Sequence, residues 1–254
     1  MMQNILKILT LLFIAVLTSC STDIDYRMPS NRFQGPEAIG KTLGIRGDLT
    51  YKGGHKVNLA EVSGDILSDT VDVNDESNID RSRGLGLDGR LGILEPLDIF
   101  YSVSDDAPSV LGLKYQVLGA GGEGVKLAVG AGYGSGKEDK IVRIGEADFT
   151  VDLDLVSYEG FVSFGYRRNE FVMAYLTAYY SEYTVEASLD SSSANLDIDA
   201  YSRSSGVLGG IELSKGAEGD RTVLTIEGGY AIGKYKGLKD SGDFVYGFSL
   251  GRSI

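Results

Sequence analysis

The segment Leu111–Tyr133, with the sequence LGLKYQVLGAGGEGVKLAVGAGY, decides the fold class. Large apolar side chains alternate with small or polar ones on both sides of a glycine-rich turn at residues 119–124. This period-two alternation predicts a β-hairpin with one large apolar face. The opposite face carries glycine, alanine and an occasional charge, not the polar mixture of a solvated sheet. Small residues fit the narrow lumen of a barrel whose apolar face is turned outward to lipid.

The same alternation recurs along residues 41–254 and predicts an all-β fold. We expect a closed antiparallel up-and-down transmembrane β-barrel of about ten strands, with about eight or twelve as alternatives. Short turns alternate with longer polar loops, which are predicted at Ser63–Asp80, Ser135–Asp148 and Ser188–Asn195. An even strand number would place both chain ends on the periplasmic side.

Two local irregularities are predicted in the strands. Gly53–Gly54 is expected to bend the first strand. At Tyr158 the apolar positions change phase by one residue, which predicts a β-bulge near Ser157.

The composition narrows the function classes. The 254-residue chain has 35 Gly, about twice the usual share, with 4 Pro and no Trp. Its formal net charge of −12 argues against a nucleic-acid partner, because phosphate binding needs a basic face. No run of about eighteen apolar residues could form a transmembrane helix. A single cysteine, Cys20, excludes a disulfide framework and a cysteine metal cluster.

The N-terminus has the form of a signal peptide. A short segment with one positive charge, Lys7, precedes an apolar run at Ile8–Leu17. The run ends in Leu17-Thr18-Ser19-Cys20, which resembles the bacterial lipoprotein lipobox. The resemblance implies cleavage after residue 19 and attachment of diacylglycerol and acyl chains, such as palmitate, to Cys20. Ser21 after the cysteine implies sorting to the outer membrane, although an ordinary signal peptide with a chance cysteine is the alternative.

The predicted organisation has three parts. Residues 1–19 are the lipoprotein signal peptide, residues 20–40 a lipidated N-terminus and periplasmic tether without persistent periodicity, and residues 41–254 the barrel. The barrel resembles small bacterial outer-membrane β-barrels of the OmpA/OmpX-like and porin-like superfamily. Phe244–Ile254 looks like their C-terminal assembly signal, although the chain ends in Ile254 rather than an aromatic residue. The resemblance implies the lipoprotein-processing and barrel-insertion machineries as partners, and we expect a monomer.

Charged positions on the small-residue face predict a network of ion pairs inside the barrel. The network comprises Arg46, Asp48, Asp88, Arg90, Lys114, Lys126, Glu159, Glu212 and Glu227. Tyrosines near the predicted rims suggest an aromatic girdle at the lipid headgroups. The girdle comprises Tyr51, Tyr133, Tyr158, Tyr166, Tyr179, Tyr230 and Tyr246.

The sequence offers no convincing catalytic or metal site. The single histidine, His55, lacks any surrounding motif, so we expect a solvated residue and no catalytic group. A weak calcium candidate comprises Asp72, Asn74, Asp75 and Glu76. It fails the EF-hand pattern because Ser77 stands where glycine is needed, so a solvated acidic loop is favoured. We therefore expect no enzyme activity and no cofactor beyond the lipid on Cys20.

Four function hypotheses follow, of which a barrel enzyme is the least favoured. The first is a non-enzymatic outer-membrane barrel lipoprotein with a structural or surface-interaction role, since about ten strands leave a lumen nearly filled by side chains. The second is a narrow channel for ions or small solutes. The third is a soluble, lipid-anchored barrel that binds an apolar ligand, in which Leu113 and Tyr115 would point inward.

Overall fold

Among the described residues, every regular element is a β-strand. The computed structural model describes residues 20–65, 70–74, 77–119, 122–144, 147–190, 195–217, 220–235, 238 and 240–254. The strands are β1 (Cys20–Pro29), β2 (Ile45–Asp65), β3 (Thr70–Asn74), β4 (Asn78–Leu94), β5 (Leu97–Ser104), β6 (Ser109–Leu118), β7 (Gly124–Ile144), β8 (Ala147–Arg167), β9 (Val172–Asp190), β10 (Asn195–Ala217), β11 (Asp220–Tyr235) and β12 (Ser241–Ser253). No helix within these ranges is long and apolar enough to cross a membrane.

Ten of the strands form a closed antiparallel barrel. From β4 to β12 each strand pairs with the next along the chain, and β2 joins the two edges. One edge of β2 pairs with β4, and the other pairs with β12 from Arg46 opposite Ser253 to Tyr51 opposite Phe248. The predicted fold class is thereby confirmed. Successive side chains of a strand point to opposite sides of the barrel wall, so each strand presents one face to the lumen and one to the outside.

The two ends of the barrel differ. Ile254 exchanges backbone hydrogen bonds with Ile45 at one end, here called the C-terminal end, where the turn at residues 95–96 also lies. At the opposite, distal end, β7 to β10 run for 21, 21, 19 and 23 residues. A tilted strand needs only about 9–11 residues to cross a bilayer. These four strands are about twice that length, and the additional residues project at the distal end.

The projecting strands include two segments that were predicted to be polar loops. Pairing between β7 and β8 continues from Ser135 opposite Val156 to Ile144 opposite Ala147. Pairing between β9 and β10 likewise continues to Asp190 opposite Asn195. The prediction of long loops at Ser135–Asp148 and Ser188–Asn195 was therefore wrong. Polar residues on the water-facing side of a projecting sheet hide the apolar alternation by which strands are recognised.

The predicted β-bulge near Ser157 is also absent. The register of β8 with both neighbours is continuous through this position. On the C-terminal side of Ser157, Val162 faces outward and Ser163 is buried in the lumen. On the distal side, Asp154 faces outward and Leu153 is buried inside. The strand keeps its faces, but the polarity of both faces inverts between the C-terminal side and the distal side of Ser157.

Glycines on the inner face make room for two phenylalanine rings that fill the lumen. A Cβ atom on Gly112 would lie 2.3 Å from the ring of Phe100, and one on Gly130 would lie 2.3 Å from the ring of Phe161. The two rings contact each other with centroids 5.8 Å apart. The small-residue face of the hairpin that first indicated a barrel therefore lines a packed interior.

Residues 23–39, here called the luminal segment, lie inside the barrel. Most of their side chains are buried, and the segment runs from the distal end to the C-terminal end. The interpretation of residues 20–40 as a tether outside the barrel is therefore corrected. The expectation that both chain ends lie on one side is corrected too, because Cys20 lies opposite Gly64 at the distal end.

Gly53–Gly54 marks the position where β2 exchanges one partner for another. Up to Tyr51 the free edge of β2 pairs with β12, and from Gly54 onward it pairs with β1. A Cβ atom on Gly54 would lie 2.3 Å from the backbone oxygen of Met28. Only glycine permits this close approach. The pairing of β2 with β4 continues without a break through both glycines.

Candidate functional site

An apolar core holds the distal part of the luminal segment. Ile24, Tyr26 and Met28 are fully buried and pack with the inner faces of β2, β8, β9 and β10. The Tyr26 hydroxyl donates a hydrogen bond to the Ser202 hydroxyl at 2.5 Å. The Tyr26 ring lies 6.4 Å from that of Tyr183. This part of the barrel has the polarity of a water-soluble protein, with apolar residues inside.

Asp25 links the luminal segment to two strands through lysines. Its carboxylate lies 2.8 Å from Lys56 on β2 and 2.8 Å from Lys140 on β7. Burial would raise the pKa of Asp25, but hydrogen bonds and charge from Lys140 and Lys56 hold it below its ordinary value. Asp25 is therefore ionised at neutral pH, and both ion pairs hold β1 against the wall.

Glu227 on β11 binds the middle of the luminal segment. Its carboxylate accepts hydrogen bonds from the Asn31 amide at 3.1 Å and from the backbone N–H groups of Arg32 at 2.9 Å and Phe33 at 3.3 Å. It also accepts one from the Tyr175 hydroxyl at 3.1 Å. A buried carboxylate is tolerated when donors surround it in this way.

Arg32 occupies the centre of the lumen. Its guanidinium lies 3.3 Å from the carboxylate of Glu159 and 4.7 Å from the ring centroid of Tyr179. A further hydrogen bond from Arg32 reaches the Ser181 hydroxyl at 2.5 Å. These contacts tie the segment to β8 and β9 by charge and by a cation–π interaction.

A chain of ion pairs holds the C-terminal part of the segment. Glu37 lies 3.4 Å from Lys126 and accepts a hydrogen bond from Arg167 at 2.6 Å. Arg167 also pairs with Glu212 at 2.8 Å, and Glu212 pairs with Arg46 at 2.9 Å. Carboxylates and cations alternate along this chain, so each buried charge has a partner of the opposite sign.

The predicted network residues all lie on the inner face, and most of them have partners that were not predicted. The structure brings together Arg46, Asp48 and Glu212 directly. It joins Lys126 to them through Glu37 and Arg167. The other pairs are Lys114 with Asp98 at 3.5 Å, Asp88 with Lys52 at 2.6 Å and Glu159 with Arg32 at 3.3 Å. Arg90 instead donates to the backbone oxygen of Phe33.

Five charged partners of the predicted network residues were missed. Lys52 and Asp98 lie at inward positions of strands that were recognised, so their parity in the strand could have revealed them. The sequence Arg167–Glu170 predicts a short charged turn, so Arg167 was not assigned to the inner face. Arg32 and Glu37 belong to the luminal segment, which has no periodic pattern to indicate which way they point.

Six of the seven predicted girdle tyrosines face outward or lie at the wall. Tyr133, Tyr158, Tyr166, Tyr230 and Tyr246 are exposed, and the Tyr51 ring stacks on Phe248 with centroids 5.2 Å apart. Tyr179 was assigned wrongly, because it is 5% exposed and its hydroxyl hydrogen-bonds to Ser204 inside the barrel. Its neighbour Tyr180 faces outward instead. Both faces of β9 are apolar, so the alternation could not distinguish them.

The histidine prediction also needs correction. His55 is fully buried, packs against Gly233 and has its Nε2 atom 3.6 Å from the Asp243 carboxylate. Burial lowers the pKa of His55, against the opposing charge of Asp243. No catalytic partner arrangement surrounds it among the described residues.

The weak calcium candidate is not tested by the structure. Asp72 and Asn74 belong to β3, and Asp75 and Glu76 lie outside the described residues. Within the described part of the chain, no group of three or more His, Cys, Asp or Glu side chains could hold a metal ion.

The luminal segment closes the middle of the barrel. The free space beside Arg32 and Glu159 has a volume of about 20 Å³, which is room for about one water molecule. Lys52 and Phe100 line the same space. The luminal segment and the side chains of the wall therefore fill the middle of the lumen and hold the N-terminal part of the chain inside it.

Comparisons with known proteins yield structural likeness only. Neither a protein-family model nor a curated protein matches this chain. The structure is similar to Ail, the attachment invasion locus protein of Yersinia pestis, with 13% identity, a TM-score of 0.36, and coverage of 84% of this chain and 98% of that one. It is also similar to the beta domain of the Bordetella autotransporter BrkA, with 11% identity, a TM-score of 0.38 and the same coverage.

Proposed function

We propose that this chain is a non-enzymatic bacterial outer-membrane β-barrel lipoprotein, closed by its own N-terminal segment, with a structural or surface-interaction role. One observation carries the proposal. Bulky apolar side chains face outward around the barrel while charged residues are buried within it. Leu113, Phe164 and Leu250, on three different strands, are 54%, 53% and 54% exposed. Such a band would be unstable in water and is what lipid requires.

The alternative of a soluble barrel that binds an apolar ligand fits poorly. It needs Leu113 and Tyr115 to point into the lumen, and both face outward, with 54% and 49% exposure. Their inward neighbour Lys114 is fully buried. The band has the polarity of a membrane protein, and only the projecting part of the barrel has that of a soluble one.

A membrane location is tested by expressing Cys20→Ala with a cleavable signal peptide. This variant lacks any lipid, so a membrane-spanning barrel should still fractionate with outer membranes, require detergent for extraction and migrate differently after heating. Recovery of the variant as a stable monomer in plain buffer would contradict the proposal.

We infer that the occupied lumen leaves no conducting pore. We expect the full chain to show no stable conductance in planar bilayers, and removal of residues 21–39 to create one. If the deletion prevents folding, Glu227→Ala in the full chain provides a second test, because it removes the acceptor for Asn31, Arg32 and Phe33. Equal conductance of the full chain and both variants would contradict the closing role.

Lipidation of Cys20 would compete with docking of β1. Gly64, the partner of Cys20, lies 13 residues beyond Tyr51 on β2, or about 40 Å along the strand at ~3.3 Å per residue. Acyl chains on Cys20 could enter the bilayer only if β1 left its position in the barrel. Radioactive palmitate should label the wild type and not Cys20→Ala, and the labelled protein should be cut by protease within residues 20–30. Label incorporation equal in both would exclude lipidation at this residue.

A further inference from the structure

A polar cavity lies at the C-terminal end of the lumen. Its volume is about 520 Å³, within the range of small-molecule sites. Residues 37–41, including the end of the luminal segment, form part of its lining, and Ser253 and Ile254 mark its position at the C-terminal end. The charged groups that line it are Lys41, Arg46, Arg90, Arg167 and Arg221 on the cationic side and Glu37, Glu95 and Glu212 on the anionic side.

Arg90 is the exception among the buried cations of this cavity. Arg46 and Arg167 both pair with Glu212, whereas no carboxylate of the described residues lies within ion-pair distance of Arg90. Arg90 is only 6% exposed. One terminal nitrogen of Arg90 donates a hydrogen bond to the backbone oxygen of Phe33. The Nε atom of Arg90 has no hydrogen-bond partner. A buried cation without an anion is costly, because it has lost water and gained no opposite charge.

The strand register places a second guanidinium beside it. Arg46 on β2 lies directly opposite Arg90 on β4, with both side chains on the inner face. Like charges directly opposite each other on antiparallel strands are destabilising. Arg46 is already paired with Asp48 and Glu212, so Arg90 is the guanidinium left without an anion. Its planar group presents paired donors that match the oxygens of a phosphate or carboxylate group.

We propose that this cavity is a binding site for a small oxyanion, either free phosphate or the carboxylate group of a small solute, with Arg90 as the principal ligand. The backbone oxygen of Phe33 accepts a hydrogen bond from Arg90 and holds it in place, so the luminal segment forms part of the site. The site depends on the geometry of the lumen and not on the membrane location or lipidation of the chain.

The test is calorimetric titration of the full chain, folded in detergent, with inorganic phosphate at constant ionic strength. We expect saturable binding near one site per chain, with acetate as the carboxylate probe and chloride as the blank. Arg90→Gln should weaken phosphate binding about tenfold to a hundredfold, the range for a lost hydrogen bond to a charged group. Arg252→Gln is the matched control. Arg252→Gln removes the same charge, but Arg252 lies outside the cavity and pairs with Asp220 at the surface. The affinity of this variant for phosphate should therefore equal that of the wild type.

Altered migration on heating shows whether each variant has formed the barrel. If Arg90→Gln does not fold, Arg90→Lys is measured in its place. This variant keeps the positive charge and loses the paired donors of the guanidinium, so it should also bind phosphate more weakly than the wild type. The proposal is overturned if the wild type shows no saturable binding of phosphate or acetate. It is equally overturned if the folded Arg90 variant binds as tightly as the wild type.

Discussion

The polarity inversion on β8 gives the sharpest test of where the membrane ends. Val162 and Val156 face outward on the same strand, six residues apart, without a change of register between them. Val162 lies midway between the outward tyrosines Tyr158 and Tyr166, whereas Val156 lies just beyond Tyr158 on the distal side. The same substitution, Val to Arg, can therefore be compared at the centre and outside of the proposed apolar band.

The expected magnitudes follow from the position of each residue. Four residues at ~3.3 Å each on a strand tilted by about 40° place Val162 about 10 Å below the level of Tyr158. An arginine on the lipid face costs about 2–4 kcal/mol at the bilayer midplane and about 0–1 kcal/mol near the interface. Val162→Arg should therefore lower the free energy of unfolding by about 2–4 kcal/mol. Val156→Arg should lower it by at most about 1 kcal/mol.

Both values can be measured by equilibrium unfolding in guanidinium chloride from phospholipid vesicles. Migration on gels with and without heating reports the folded fraction. The reasoning would be refuted if the two variants lost equal stability, or if Val162→Arg were as stable as the wild type. Either result would mean that lipid does not surround the band between Tyr158 and Tyr166.

Three further perturbations test the interior. Tyr26→Ala removes a buried aromatic ring and should weaken docking of β1 by roughly 3–5 kcal/mol, measured as faster proteolysis within residues 20–30. Because the pKa of Asp25 is lowered in the folded protein, its ion pairs stabilise docking above about pH 4, and this contribution is lost as the pH falls further. Pepsin cleavage of β1 should rise with acidification more in the wild type than in Asp25→Asn; parallel profiles would exclude this role. Gly130→Ala should lower the free energy of unfolding by about 1–3 kcal/mol, since its Cβ atom would meet the Phe161 ring at 2.3 Å, whereas Gly47→Ala, with nothing within 4 Å, should not.

The alternation of large and small residues was enough to predict the barrel and its lumen-facing charges. It works where the two faces meet different surroundings, as in the hairpin at Leu111–Tyr133, whose large apolar side chains face outward and whose small residues line the packed lumen. The prediction of a β-bulge near Ser157 was wrong because it assumed that the outer face of β8 meets the same surroundings along its whole length. The alternation failed at Tyr179 because both faces of β9 are apolar, one exposed on the outside of the barrel and the other packed against the interior.

The luminal segment could not be predicted for a different reason. Its residues follow no period, since each matches a separate partner on the wall, such as Glu227 for Asn31 and Glu159 for Arg32. Those partners lie more than 100 residues away in the sequence and come together only in the closed barrel. Polar, aperiodic composition is shared by a solvated tether and by a chain that fills a charged lumen.

The position of the luminal segment has a consequence for the order of assembly. This segment precedes β2 in the chain, and the ring is completed only when β12, the last strand, pairs with β2 over residues 46–51. If the ring were completed first, the charged side chains of Arg32 and Glu37 would have to be drawn through it afterwards. We therefore expect the segment to dock on the growing sheet before the first and last strands meet, so that its contacts help to guide the final strand pairing.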